Sequence, residues 1–235
     1  MHTHFIPYRS MAFVLLWALP LISMSSGADE APEGKEAIVL SPEEQRMLGT
    51  VWEQAIAKAA REGWDSLEGK VPADWIRSGD KAVWYMLTHI EPLMNLKPDL
   101  EYRVARVMVI PLVAGSTDKP FLLALADEKT DGLHRGLIVH LLGERPTSWP
   151  ICELLVKLLE DRRKGERKYA QTISESERVC DIAFRHLICR LNLEEKPEFP
   201  LNLQSQDARN PGIAKLKEWW TKNAAKVKEQ LEKDK

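Results

Sequence analysis

Four histidines lie beyond residue 28: His89, His134, His140 and His186. His134 and His140 are six residues apart, which turns them well away from each other on a helix. They cannot hold one metal ion from that helix alone. His186 and Cys189 are three apart and share a helix face, but a zinc site needs two more ligands and none stands nearby in sequence. Packing at a helix surface is the competing role. The acidic turn Asp127-Glu128-Lys129-Thr130-Asp131 lacks the alternate oxygen ligands and closing Glu of a calcium loop. Helix capping accounts for Thr130 and Asp131. Asp181 and Arg185 have the i,i+4 spacing of an intrahelical ion pair, a structural role that weighs above catalysis.

The motifs of common chemistries are absent from the sequence. It has no Gly-x-x-x-x-Gly-Lys-Ser/Thr phosphate loop, His-Glu-x-x-His, Gly-x-Ser-x-Gly or Cys-x-x-Cys. The expectation is therefore a protein with no cofactor, no resident metal and no catalytic residues. An enzyme whose groups converge only in space stays as an alternative. The formal net charge is −2, and removing residues 1–28 takes away Arg9 and no acid, leaving −3. Such a balance argues against nucleic-acid binding, which needs a concentrated basic surface.

Tryptophan is plentiful, with eight in the chain. Trp52, Trp84, Trp149, Trp219 and Trp220 fall in or at the ends of helical segments and read as core. Trp64 and Trp75 lie in the irregular stretch 63–78, where an exposed aromatic can anchor a partner or stack on a sugar. They are the candidate partner-binding residues. The competing role is to plug the open end of a helical stack. Of the three cysteines, Cys180 and Cys189 sit ~13 Å apart along one helix and on opposite faces, so they cannot bridge each other. Cys152 either pairs with one of them from a neighbouring helix or, like them, is a free thiol.

These side chains must be positioned by helices. Ser41-Pro42-Glu43-Glu44 is a capping box with proline at the first helical position, and the stripe Leu48, Val51, Trp52, Ala55, Ile56 and Ala59 predicts a helix over 42–62, ended by Gly63. A short helix is expected near Ala73–Arg77, then one over 79–95 capped by Ser78. Asp99 opens a helix over 99–114, with a short strand as the alternative because of Val107, Val109 and Ile110; Pro111 must kink or end it. Further helices are expected from Thr117 or Asp118 to Asp127, over 131–143, over 148–163, from the capping box Ser174–Glu177 to Leu193, and from Asn210-Pro211 onward. The Lys/Glu-rich tail past Val227 is expected to fray.

The segment LHRGLIVHLLG (133–143) matches RVCDIAFRHLI (178–188) at an offset of 45, each preceded by a helix with an apolar face. A two-helix unit at this period is the HEAT/armadillo pattern. The stretch FLLALADEKTDGLHRGLIVHLLGE (121–144) resembles a HEAT-like repeat. SERVCDIAFRHLICRL (176–191) and NPGIAKLKEWWTKN (210–223) are similar to the terminal repeat and closing helix of exported bacterial HEAT-like proteins. The resemblance implies an all-α fold of antiparallel helix pairs stacked as a short α-solenoid. It also implies a scaffold that binds a partner, usually another protein, and no shared active site.

The N-terminus supplies the address. Fourteen residues, Met11–Met24, form an apolar run after Arg9, short of the ~20 needed to span a bilayer, and Ser26 and Ala28 suit a cleavage site before Asp29. An uncleaved anchor is the competing reading. The expected organisation is a signal peptide at 1–28, a polar tether at 29–40, an N-terminal helical segment at 41–115 serving as cap or degenerate repeats, and HEAT-like repeats with a closing helix at 116–231. The expected protein is exported, periplasmic or extracellular, without stable membrane insertion once the signal is removed. It is a non-enzymatic protein-interaction scaffold. A small-molecule or glycan binding module is the alternative.

Overall fold

The computed structural model describes residues 37–112, 116–165, 177–193, 196, 199 and 205–233. The expected signal peptide, most of the tether and residues 174–176 of the second capping box lie outside these. The described residues form ten α-helices and two 3₁₀ turns, with one isolated antiparallel bridge, Lys164 to Arg178, and no strand. None of the helices is long and apolar enough to cross a membrane.

Helix α1 (Pro42–Glu62) begins and ends where its sequence signals lie. Ser41 N–H donates to Glu44 Oε2 at 2.8 Å, Glu44 N–H donates back to Ser41 Oγ at 3.2 Å, and Gly63 stops the helix at a φ of 91°. Leu48, Trp52, Ala55, Ile56 and Ala59 are its buried stripe. A 3₁₀ turn (Trp64–Leu67) and the short α2 (Ala73–Arg77) follow.

The single helix expected over 79–95 is two: α3 (Asp80–Thr88) and α4 (Glu91–Met94). Pro92 explains the break, because it has no N–H for the Thr88 carbonyl and its ring would collide with it. Gly79, not Ser78, occupies the cap of α3, and the Ser78 hydroxyl instead donates to Asp74 O at 2.8 Å, closing α2. Helix α5 (Pro98–Val109) settles the helix-or-strand alternative, with Lys97 at its cap in place of Asp99. It passes into a 3₁₀ turn (Ile110–Leu112) at Pro111, as a proline there requires.

Next come α6 (Lys119–Ala126), α7 (Gly132–Leu142) and α8 (Trp149–Leu158). Asp131 caps α7 by accepting from Leu133 N at 2.8 Å and His134 N at 3.2 Å. Helix α8 stops earlier than the expected 163, because residues 161–165 leave it to run beside the start of α9 (Val179–Arg190). There Val179 N donates to Arg163 O at 2.9 Å, Cys180 N to Asp161 O at 2.9 Å, and Gly165 N to Glu177 O at 2.8 Å. The first two satisfy amides at the start of α9 that have no partner within the helix. Helix α10 (Gln206–Lys233) carries Pro211 inside it rather than at its start, and it continues helical past Val227 where fraying was expected.

Helix neighbours follow a pattern. Helix α1 packs on α3 and α5, α3 on α6, α5 on α7, α6 on α7 and α8, α7 on α9, α8 on α9, and α10 on both α8 and α9. Two arginines tie the helix ends to the loops. Arg145, just beyond α7, donates to Ser116 O and Ser116 Oγ, both at 2.7 Å. Arg190, the last residue of α9, donates to Leu142 O at 2.6 Å, Arg145 O at 3.0 Å and Thr147 Oγ1 at 3.3 Å. Arg145 thus holds the segment before α6, and Arg190 the segment between α7 and α8. Buried apolar residues from Leu48 to Leu216 join into one core.

Candidate functional site

The break after α3 does more than shorten a helix. It turns His89 out at φ −123° and ψ 45°, with its ring stacked on Tyr85 at 4.0 Å between centroids and 4° between planes. His89 Nδ1 lies 2.9 Å from the Tyr85 carbonyl, so that nitrogen carries the hydrogen and Nε2 keeps its lone pair. Trp52 Nε1 donates to His89 O at 2.9 Å and fixes the corner from below.

Facing this corner is the turn between α6 and α7. The Asp127 carboxylate accepts from Lys129 N at 2.9 Å, and the Asp131 carboxylate both caps α7 and pairs with His134 Nδ1. This partner fixes His134 in the same tautomer as His89, with Nε2 left as an acceptor while the ring is neutral. Behind the turn, Arg135 donates to Leu125 O at 2.8 Å, Asp127 O at 3.0 Å and Asp161 Oδ2 at 2.8 Å. A buried guanidinium thus holds the turn in place.

Between the corner and the turn is a groove of about 620 Å³, floored by Trp52, Leu87, Ala124 and Ile138 and walled by Trp84 and Tyr85. Four carboxylates line it, those of Glu53, Glu91, Asp127 and Asp131, against the single ammonium of Lys129. Glu53 and Glu91 are exposed and make no ion pair or side-chain hydrogen bond among the described residues. The acceptors lining it are carboxylate oxygens and two imidazole nitrogens, and the donors are the Lys129 ammonium, the Trp84 indole and the hydroxyls of Tyr85, Thr88 and Thr130. No cluster of three or more His, Cys, Asp or Glu side chains suited to a metal ion occurs among the described residues.

The candidate partner-binding tryptophans are elsewhere, and neither lines this groove. Trp75 is a correction to the expected exposed anchor. It is wholly buried, stacked on Trp52 with centroids 6.0 Å apart, and its Nε1 donates to Met108 O at 3.1 Å. The short helix α2 turns it inward, and it has no surface to offer. Trp64 is half-buried with the Arg103 guanidinium 5.2 Å over its ring. Sequence reasoning passed over His89 as a site residue, although Pro92 three residues on was a usable signal for the helix break that presents it.

His140 faces away from the groove toward a second cluster on α5, α7 and α9. Its ring meets His186 edge-on at 5.6 Å and Tyr102 at 5.8 Å. Tyr102 Oη donates to Glu144 Oε1 at 2.9 Å, beside Arg106 Nε at 2.8 Å from the same oxygen. Burial and the Glu144 bond push the Tyr102 hydroxyl up to about 12. Burial, with His140, Arg185 and Arg190 nearby, pushes His186 down to about 3. Tyr102, Arg106 and Glu144 satisfy one another, which suits a structural role.

Asp181 does not pair with Arg185 as its spacing suggested. It binds Arg178 at 2.8 Å and Arg209 at 2.9 Å, while Arg185 turns to Glu177 at 2.8 Å. None of the three cysteines is in a disulfide; Cys152 and Cys180 are buried and Cys189 is exposed. Comparison with family models, curated proteins and solved structures finds no match to this chain.

Proposed function

We propose that this chain is an exported, non-enzymatic scaffold of stacked HEAT-like helix pairs that binds another protein through the groove between α3 and the α6–α7 turn. The observation that carries the reading is the neighbour pattern. The pairs α6/α7 and α8/α9 pack first helix on first and second helix on second, and α3 and α5 extend the same two rows. That is how repeats stack when each pair is apolar on more than one face. Arg145 and Arg190 add support, since they stand at the same 45-residue offset as the sequence repeat and each ties the end of a helix to a loop earlier in the chain. In this reading α1 and α10 close the two ends.

The test is chemical cross-linking of the full chain in the cells that make it, followed by capture and mass spectrometry. A reproducible stoichiometric partner, and a mature N-terminus at Asp29, are expected. Replicate captures that never share a partner, or an intact N-terminus on a protein retained in the cytoplasm, would overturn the reading. The groove's volume lies within the ~300–1,000 Å³ range of small-molecule sites, which favours a glycan or metabolite as the second reading. Equilibrium dialysis against a neutral oligosaccharide panel separates the two.

A further inference from the structure

We infer that the groove receives a lysine- or arginine-bearing segment of the partner protein. The inference rests on the protein-binding reading and names the partner's chemistry.

Two independent features of the groove select that chemistry. The first is charge: four carboxylates face one ammonium, so the groove attracts cations and repels anions. The second is hydrogen-bond polarity. Carboxylates accept and do not donate, and both histidines have their Nδ1 committed, His89 to the Tyr85 carbonyl and His134 to Asp131. A ligand rich in donors and poor in acceptors is complementary. Guanidinium and ammonium groups are such ligands, whereas a phosphate, a carboxylate or an acidic peptide would be repelled by the excess of carboxylates.

The groove also suits the rest of such a side chain. Trp84 and Tyr85 give aromatic surface over which a cation is favoured, while Leu123 and Ile138 can cover its methylene stem. Glu53 and Glu91 are the carboxylates left without an internal partner, on opposite sides of the Tyr85–His89 corner in the sequence. Asp127 and Asp131, by contrast, are already used in holding the turn. The geometry therefore assigns recognition to Glu53 and Glu91 and rigidity to the two aspartates.

The experiment is calorimetric titration of the protein with three blocked peptides of equal length: one with alternating Arg and Lys among Gly, one with Glu in the same positions, and one with Ser. The cationic peptide should bind, the other two should not, and the affinity should fall as salt is raised. The double variant Glu53→Gln/Glu91→Gln should lose about fivefold to tenfold in affinity, the loss of two exposed charge pairs. Its helicity and thermal midpoint should be unchanged. A control double variant, Glu68→Gln/Glu232→Gln, removes the same charge outside the groove and should bind as the parent does.

Equal affinity for the cationic and serine peptides overturns the inference. So does an equal loss in the control variant, which would reduce the effect to net charge. Repeating the cross-linking with the groove variant separates this inference from the broader one. A partner captured equally well sinks the groove but leaves the scaffold. Peptide binding with no protein partner in cells sinks the scaffold but leaves the groove's chemistry.

Discussion

Asp181 shows how one buried charge organises several elements. Its side chain is fully buried, and its carboxylate accepts from the Arg178 side chain, the Arg178 backbone amide and Arg209. Burial alone would raise its pKa, but the bonds from Arg178 and the charge of Arg209 outweigh it and hold the carboxyl below its usual range. Asp181→Asn would leave two buried guanidiniums facing an amide, and breaking such a group costs about 3 kcal/mol or more. The thermal midpoint should fall by about 6–12 °C, read by circular dichroism. His186 acts in a different pH range. It is neutral in the fold down to about 3, while the unfolded chain binds its proton near the ordinary histidine value of 6.5. The unfolded state therefore holds more protons between those values. Stability should be full above 6.5 and fall as pH drops, at up to about 1.4 kcal/mol per unit. Carboxylates held below their usual range, Glu44, Glu160 and Asp181 among them, add a slope of the same sign as pH falls toward 4, so the histidine is read from the difference between the parent and a variant that lacks it. Urea titrations between pH 6 and pH 4 should show the slope in the parent and a flatter profile, by nearly one proton, in His186→Leu.

At the scale of elements, helix α1 was legible because its signals are local: a capping box, a proline at the first position, one stripe and a glycine stop. The 79–95 segment was misjudged because its apolar stripe runs on across Pro92, and periodicity does not register a missing N–H. The end of α8 was set by a distant partner. Residues 161–165 are drawn onto the start of α9 by backbone bonds between segments more than ten residues apart, which no local pattern announces. The groove was illegible for the same reason, since Glu53, His89 and Asp131 come from three separate elements. The close approach of this segment to α7 gives a test with a counterintuitive sign. Alanine in place of Gly136 should help an isolated helix by about 1 kcal/mol. In the fold, however, a Cβ there would overlap the Gly165 backbone. The 161–165 segment cannot retreat without losing its bonds to α9. Gly136→Ala should therefore destabilise by about 1–3 kcal/mol, with faster hydrogen exchange at the Gly165 and Val179 amides. Unchanged protection there would show that the segment is not held against α7.

For the whole molecule, the question is what covers the outer face of α8 and α9. Helix α10 is mixed in character: its first half buries Arg209, Gly212, Ile213 and Leu216 against α8 and α9, while most of its second half is solvated. The Trp149–Trp220 stack at 5.3 Å lies near the midpoint, and beyond it Lys228 reaches over Trp149 at 5.6 Å. The two halves should therefore contribute unequally. Ending the chain at Asn223 removes a cation–π contact and the partly buried Leu231, a loss of about 1 kcal/mol that leaves one cooperative transition. Ending it before Ser205 uncovers the apolar face of α8 and α9 and strips Arg209 from the Asp181 group. If the pairs stack as proposed, each layer stabilises only its neighbours, so that loss falls first on α8 and α9 and then spreads inward. Thermal unfolding of the shorter chain should begin early and broaden, with binding of a hydrophobic dye at 25 °C that the Asn223 truncation lacks. A shorter chain with the parent's midpoint and no dye binding would mean that α8 and α9 are complete without a cap. The stacked-pair reading would then lose its account of why the chain carries α10.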